Sequence, residues 1–442
     1  MAALNELLGL DMPCGECGRR HKVAVRAVLV ADDALARLPD VCGRQATGRR
    51  LALVADRRTM AIAGDAARAA LEQGGFTVGV TIVPDPKPDH SPVCDDTTKA
   101  WLESQLPAAD LYVAVGSGVV CDLVKWIGFE RKIPYVCVAT AASMNGYASD
   151  NVAPTIQGVK CLFSGIGPRA ILSTPQILAT APHHMTVAGL GDVMAKPVSA
   201  SDWRLNRELF GEFYCSVCAD TINDIEPLYL ACPADIGRGK PEAVRILFDA
   251  LILTGLSMSM AGTSSPASGG EHLVSHTLDM MSMLDGTPHD LHGRQVGVAT
   301  ILGAAIYQEL FALEKPVFRD SSTPTSAAFW GRFAAAVEPY HAKKRAKTAE
   351  AAGILQRDPA RWDAIRQRLA PGLRSPEKIK DVLKRAGAAH RIADIGVTRE
   401  RFLAAFTHAH EFRDRITILD LARIAGLMPG RAEELVERWV VT

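Results

Sequence analysis

The stretch Leu111–Gly128, LYVAVGSGVVCDLVKWIG, decides the fold. Its first five residues, Leu111–Val115, are an unbroken apolar run, the pattern of a strand buried on both faces. Gly116-Ser117-Gly118 follows, and from there Val119, Val120, Leu123, Val124 and Ile127 recur at helical spacing. A buried strand that turns through glycine into a helix is half of a βαβ unit. The alternation extends to both sides. Upstream, Leu51–Ala55 predicts a strand ending at Asp56, and Ala61–Leu71 a helix stopped by Gly74-Gly75. Val78–Val83 is a β-branched strand, Pro84–Pro92 a proline-rich loop and Thr97–Leu106 a helix. Downstream, Pro134–Ala139 is the next strand. Strand and helix in this order predict a parallel sheet with crossover helices.

Past about residue 180 the continuous β-branched runs stop. Pro241–Met260, Gln295–Leu313, Ala327–Val337, Arg361–Leu369, Ser375–Ala386 and Arg399–His410 all carry helical periodicity, and Arg319–Ser326 reads as a loop. The expected architecture is a Rossmann-like α/β domain over residues 1–180 followed by an all-α domain over 181–442. No internal repeat or low-complexity tract interrupts it.

Composition bounds the function. With 48% hydrophobic and 22% charged residues, the chain is neither disordered, collagenous nor coiled-coil. Forty-nine basic residues balance 49 acidic ones, so no basic footprint for nucleic acid or an anionic membrane is expected. Lys343–Arg345 reads as a solvated face. Residues 1–11 lack the basic and apolar regions of a secretory signal. Ala250–Gly262 falls short of the about 20 apolar residues of a membrane span and is broken by Thr254, Ser257 and Ser259, so it reads as a buried core helix. Ten cysteines in a chain of 442 residues suit reduced thiols in a cytoplasmic protein.

Gly116-Ser117-Gly118 places backbone N–H groups and a positive helix end at the mouth of a sheet, which suits a pyrophosphate. The spacing departs from GxGxxG because Cys121 takes the last position, so a plain strand-to-helix turn is the competing reading. Asp56, closing the earlier strand, stands where a dinucleotide-binding sheet keeps a carboxylate for the adenosine ribose; a helix N-cap is the alternative. Arg57 and Arg58 beside it could accept a 2′-phosphate, which leaves NAD and NADP both open. Thr140-Ala141-Ala142-Ser143 follows the next strand, and its small residues allow a ligand to come close.

The helical half carries metal-ligand chemistry. Asp192 sits among small and apolar residues in Gly189–Lys196; His272 and His276, four apart, share a helix face; His292 follows on the next element. One carboxylate and two imidazoles would leave open positions on a divalent ion, as a Lewis-acid site requires. The pair is HxxxH but not HExxH, since Leu273 replaces the glutamate, which argues against a metalloprotease. Two CxxC pairs also occur, Cys14/Cys17 with His21 nearby and Cys215/Cys218. A four-cysteine zinc site would need the two pairs to meet from distant parts of the chain, whereas ligand pairs are ordinarily closer in sequence. Closure of a terminal loop is the plainer reading of Cys14–Cys17, and a thioredoxin-like role lacks its strand-to-helix context.

Taken together, GSGVVCDLVKW (116–126), TAASMNGYAS (140–149), GLGDVMAK (189–196), SASDW (199–203), SGGEHLVSH (268–276) and LHGRQVGVAT (291–300) resemble the sn-glycerol-1-phosphate dehydrogenase family. RDRITILDLARIAGL (413–427) is similar to the C-terminal end of its bacterial branch. That family shares a two-domain fold with iron-containing alcohol dehydrogenases and dehydroquinate synthases. The resemblance implies NAD(P)-dependent reduction of dihydroxyacetone phosphate to sn-glycerol 1-phosphate, and its reverse. It implies that Asp56, Gly116, Ser117, Gly118, Val119, Val120, Thr140, Ala141, Ala142, Ser143 and Ser149 hold the dinucleotide, with the nicotinamide pointing between the domains. It implies that Asp192, His272 and His292 hold one divalent metal, zinc before nickel or iron, and that His276 faces substrate. A homodimer in the cytoplasm, acting on a small phosphorylated polyol, is the expected working form. Lys160 is a candidate for the substrate phosphate. One position departs: Asn145 stands where the family pattern has a substrate-contacting aspartate. Asparagine can hydrogen-bond but carries no charge. A dehydroquinate synthase-like lyase using NAD catalytically is the rival reading, and aspartate rather than glutamate at Asp192 speaks against it. A catalytically silent relative is the other, and the retained metal triad speaks against that.

Overall fold

Six strands lie parallel in one sheet: β1 (Ala27–Val30), β2 (Arg50–Asp56), β3 (Thr77–Val83), β4 (Leu111–Gly116), β5 (Tyr135–Ala139) and β6 (Ala170–Ser173). Their spatial order is β1-β6-β5-β4-β2-β3. The computed structural model describes residues 2–87 and 90–442; Met1 and, within the proline-rich stretch, residues 88 and 89 lie outside the described residues. All six residues of β4 are buried, as a central parallel strand covered on both faces must be. One face packs Leu51, Leu53, Ala55, Val113, Val115, Val136 and Val138 against Val41, Ala63, Ala67 and Leu71. These alternate along the strands, as the period of two requires.

The four strands and the crossover helices expected from sequence are present, with ends shifted by a residue or two. The helix expected at Ala61–Leu71 opens as a wide π turn over Met60–Gly64 and continues as α1 (Asp65–Gln73). The helix near residue 100 is α2 (Asp96–Gln105), and α3 (Gly118–Arg131) follows β4. β1 and β6 were not foreseen. Each is four residues long, too short to establish a period, and each is held by pairing to a longer neighbour or to the other.

The chain divides into two units, Met1–Gly189 with Asp220–Ser264, and Leu190–Ala219 with Ser265–Thr442. The expected single cut at 180/181 differs from the contact pattern in two respects: residues 181–189 stay with the sheet, and residues 220–264 group with it as well. The reason for the second lies in α6 (Pro241–Ala261), which packs on the turn Asn145–Ala148 and the short helix Pro175–Ala179. Gly255 makes that packing close, since a Cβ there would stand 2.5 Å from the Asn145 carbonyl oxygen.

The second unit is helical. Its central elements are α5 (Lys196–Phe210), α7 (Gly270–Asp285) and α8 (His292–Ala312), with α7 and α8 packed on each other and α8 also against Pro376–Arg385 and Ile418–Ile424. The boundary between units falls inside α4 (His183–Met194). The helix expected at Ala327–Val337 is split. Gly331, at φ +49°, turns the chain after Ala327–Trp330, and a long helix resumes at Ala334–Arg357. Helices α6 and α8 are long and apolar enough to cross a membrane by length and composition, yet 89% and 78% of their most apolar windows are buried within the protein. Of the stretch Ala250–Gly262, all but the capping Gly262 accordingly lies in a core helix, α6, covered by protein.

Candidate active-site elements

In the sheet unit, three strand ends stand level. Ala55 pairs with Val115 and Gly116 with Ala139, so Asp56, Gly116 and Ala139 stand level and the turns after them leave the sheet side by side. The connection β2 to β3 runs to one side and the return to β4 lands on the other. Asp56 and the glycine loop therefore flank the topological switch point, where open parallel sheets bind ligands. Ser117 caps α3, its Oγ accepting from the Gly118 N–H at 2.6 Å and lying 2.9 Å from Ser143 Oγ, which ties the two loops together. Tyr147 reinforces the tie by donating to the Ala141 carbonyl at 2.8 Å. A Cβ on Gly118 would meet only the Met144 side chain, at 3.6 Å, whereas one on Gly116 would stand 2.8 Å from Val120 Cβ. Gly116 is thus needed for the turn, and Gly118 keeps open a space that the protein does not itself fill. That open cradle at a helix start fits a pyrophosphate.

The other residues expected around a dinucleotide have mixed placements. Asp56 is an N-cap: its Oδ1 accepts from the Arg58 and Thr59 N–H groups at 2.7 and 2.9 Å. Neither of these bonds uses Oδ2, so the cap and a ribose contact are compatible. Arg58 is committed to Asp85 at 2.7 Å, and Arg57 reaches the same carboxylate at 3.5 Å. Val120, Thr140, Ala141, Ala142, Ser143 and Ser149 are buried, and Val119 is half-buried. Ser149 Oγ faces the carbonyls of Gly146 and Asn151 at 3.3 and 3.4 Å, so it shapes the loop that carries it. Asn145 opens the turn Asn145–Ala148 and is half-buried; Lys160 lies half-buried on a short hairpin. Sequence reading missed Lys125. Fully buried, it donates to Gly146 O at 2.8 Å, Asn151 O at 2.9 Å and Asp122 Oδ1 at 3.1 Å, and so pins the 145–151 loop to α3. It stands off the face formed by Val119, Val120, Leu123, Val124 and Ile127, so the sequence carries no local signal of its burial.

In the helical unit, Asp192 on α4, His272 on α7 and His292 at the head of α8 come together. One ligand atom from each lies within 4.8 Å of the others. Asp192 Oδ1 stands 3.6 Å from His272 Nε2, and both residues are buried. Glu271 fixes the His272 ring: its Oε1 accepts from Nδ1 at 2.7 Å and from the Gly269 N–H at 2.7 Å. Ser275 Oγ holds His292 Nδ1 at 3.0 Å. A carboxylate behind an imidazole is the usual outer support of a metal-ligating histidine, orienting it and raising its basicity. Burial alone would lower the His272 pKa, but Asp192 and Glu271 on its two nitrogens outweigh it and lift it to about 9. Two buried carboxylates around an imidazole are an excess of negative charge that a divalent cation would neutralise. The donor set therefore fits such an ion. Neither Glu271 nor Ser275 was singled out from sequence, although a glutamate directly before His272 was visible there.

Gly191 explains how α4 and α8 approach so closely. A Cβ there would overlap the carbonyl oxygen of Gly293 and stand 3.3 Å from Gly297 Cα. Below the cluster, Asp202 accepts from Tyr307 Oη at 2.6 Å and from the Gly270 and Ile418 N–H groups at 2.7 and 2.8 Å, which anchors the start of α7. Burial, then the charge of Glu271, raises its carboxyl to about 7. His276 is half-buried one turn beyond His272. Its ring stacks on His292 with centroids 5.2 Å apart, and Asp279 completes a second group of close donor atoms with these two histidines.

The model of the iron-containing alcohol dehydrogenase family matches residues 29–182. Curated relatives include the glycerol-1-phosphate dehydrogenase (NAD(P)+) of Bacillus licheniformis, 27% identical over 94% of this chain and 93% of that one. The glycerol-1-phosphate dehydrogenase (NAD(P)+) of Methanothrix thermoacetophila is 30% identical over 68% of this chain and 82% of its own. Among solved structures, a glycerol dehydrogenase from Schizosaccharomyces pombe superposes with TM-score 0.62 at 16% identity, covering 94% of this chain and 91% of that one. The archaeal Red Sea brine pool alcohol dehydrogenase ADH/D1 does so with TM-score 0.60 at 14% identity, covering 95% and 98%. These structures share the fold.

Proposed function

This chain belongs to the glycerol-1-phosphate dehydrogenase family, and from that we propose that it interconverts dihydroxyacetone phosphate and sn-glycerol 1-phosphate, or a closely related polyol phosphate, with NAD(H) or NADP(H). The observation that carries the reading is the cluster of Asp192, His272 and His292, whose donor atoms lie within 4.8 Å of one another. Zinc, nickel or iron bound there supplies Lewis-acid polarisation of a carbonyl oxygen.

Reduction of a ketone needs a hydride at carbon and a proton at oxygen. For the hydride carrier, the glycine loop, Val119, Val120 and Thr140–Ser143 bind the dinucleotide, Ser149 shapes the adjoining loop, and Asp56 Oδ2 accepts from the adenosine ribose. For the proton, His276 donates from a ring nitrogen to the substrate oxygen. Asn145 orients a substrate hydroxyl, and Lys160 receives the phosphate. Glu271 and Ser275 hold the two imidazoles of the metal set in place. A homodimer in the cytoplasm is the working form, and sedimentation tests the assembly.

The test is oxidation of a panel of polyol phosphates, followed by the absorbance of reduced nicotinamide, in wild type and His292→Ala. Net NAD(P)H from sn-glycerol 1-phosphate or a close analogue, lost together with bound metal in the variant, supports the reading. No net reduced nicotinamide from any member of the panel overturns it, as does full activity in His292→Ala.

A further inference from the structure

The N-terminal hairpin carries a further group of donor atoms, which the proposed reaction does not use. Strands Asp11–Pro13 and Arg20–Lys22 pair antiparallel, with Met12 opposite His21 and Pro13 opposite Arg20. The turn between them is Cys14-Gly15-Glu16-Cys17-Gly18-Arg19. It closes through Cys14 N–H to Arg19 O at 2.8 Å and Gly18 N–H to Cys14 O at 2.9 Å. Gly18, at φ +69°, reverses the chain directly after Cys17, a conformation that favours glycine. The turn therefore brings Cys14 and Cys17 to the side of His21, and one donor atom from each lies within 4.8 Å of the others.

We propose that Cys14, Cys17 and His21 bind a structural zinc ion. The chemistry of the donors selects it: two thiolates and an imidazole at Cys-x2-Cys-x3-His spacing form a soft, compact set. The geometry agrees. Cys17 Sγ and His21 Nε2 are 3.5 Å apart. Bond lengths of about 2.3 Å to sulfur and about 2.0–2.1 Å to nitrogen put those two atoms about 3.5 Å apart at the tetrahedral angle. The orientation of His21 agrees as well. Its Nδ1 lies 2.6 Å from the carbonyl oxygen of Met260, in the last turn of α6, and can only donate there. That bond satisfies a carbonyl with no partner inside its helix and turns Nε2 toward the sulfurs, the outer support common to metal-bound imidazoles. His21 and Cys14 are 2% and 7% exposed and Cys17 is half-buried, so the donor side chains face inward from a turn whose other residues are exposed. Two thiolates and one dication leave no net charge in that buried place. A two-stranded hairpin is marginal on its own, and a zinc ion would fasten this one to the end of α6.

The proposal uses none of the residues of the catalytic reading and is tested without activity. Untagged protein, purified under reducing conditions, is analysed for zinc, and a cobalt(II)-substituted sample is examined by absorption spectroscopy. Wild type is expected to show thiolate-to-cobalt charge transfer and sulfur neighbours at the zinc absorption edge. His292→Ala should keep both signatures, while Cys14→Ser/Cys17→Ser should lose them together with one equivalent of zinc per chain. Should the double variant fail to fold, the spectra of wild type and His292→Ala still decide. An absence of charge transfer in wild type, no sulfur neighbour at the edge, or unchanged zinc in a folded double variant overturns the proposal.

Discussion

Asn145 is a single neutral side chain at the head of the Asn145–Ala148 turn, its backbone held against α6 at Gly255. In the family it resembles, an aspartate at this position touches substrate. An asparagine offers the hydrogen bonds without the charge. Asn145→Asp is therefore expected to raise kcat/KM for sn-glycerol 1-phosphate, by about tenfold if about 1.4 kcal/mol of transition-state stabilisation returns. Steady-state kinetics on both proteins measure it, and high wild-type activity left unchanged by the substitution would sink the idea. Gly191 makes the complementary case. Its lack of a Cβ is what lets the Asp192 helix touch Gly293 and Gly297. Gly191→Ala should push Asp192 off His272 and His292, lowering metal occupancy at that cluster while far-ultraviolet circular dichroism stays near wild type. Full occupancy in the alanine variant would show that the helices part without moving the ligands.

At the scale of elements, the three aligned strand ends do what no one of them could. The GSG loop alone is an ordinary turn; beside Thr140–Ser143 and Asp56 it forms part of the carboxyl edge of the sheet at the switch point. Gly118→Val isolates the ligand role from the folding role, because a Cβ there meets only Met144 at ordinary contact distance. The variant should fold with an unchanged unfolding midpoint and bind NAD(P)H at least tenfold more weakly, a loss of about 1.4 kcal/mol or more. Titration calorimetry that returns wild-type affinity would remove the glycine loop from the binding site. Gly116→Ala would be uninformative here, since its Cβ would stand 2.8 Å from Val120 Cβ and disturb the turn itself.

At the scale of the whole molecule, acid stability reflects buried histidines far in sequence from Asp192, His272 and His292. His341 is 2% exposed, and its Nδ1 accepts from Arg345 Nη1 at 3.2 Å, so the ring is neutral. Burial, joined by the cations Arg345 and Lys344 against the pull of Glu411, pushes its pKa down to about 4. Burial likewise drives His410 well below the ordinary histidine range. A depressed folded pKa means that the unfolded chain binds the proton first. The stabilising contribution of His341 is therefore complete above about 6.5 and is lost as pH falls through about 4. Asp202 works in the opposite sense, since its raised pKa makes the folded state the better proton binder between the ordinary carboxylate range and about 7. The test separates them by difference. Thermal midpoints measured from pH 7 to pH 4 should fall less steeply in His341→Asn, whose amide oxygen can still accept from Arg345. Parallel curves for the two proteins would show that His341 does not titrate in this window.

LYVAVGSG and LALVAD are legible as buried strands because apolar runs bounded by turns have few other uses, and the order of strand and helix then implies a parallel sheet. Asp192, His272, His276 and His292 are legible as candidates because carboxylate and imidazole are conspicuous among apolar residues, and the resemblance of the surrounding motifs narrowed them to a ligand set. What the linear order could not contain is which groups stand behind them. Glu271 is one of 49 acidic residues until the start of α7 turns its carboxylate onto His272 Nδ1. Lys125 reads as a solvent-facing charge until its helix buries it beneath the 145–151 loop. The grouping of residues 220–264 with the sheet follows from the packing of α6 on the Asn145–Ala148 turn, a pairing between segments about a hundred residues apart. Sequence thus determined the chemistry available and the periodicity of its carriers, because both are local properties. Tertiary structure alone decided which buried groups pair, because burial and hydrogen bonding are settled only once distant elements have packed.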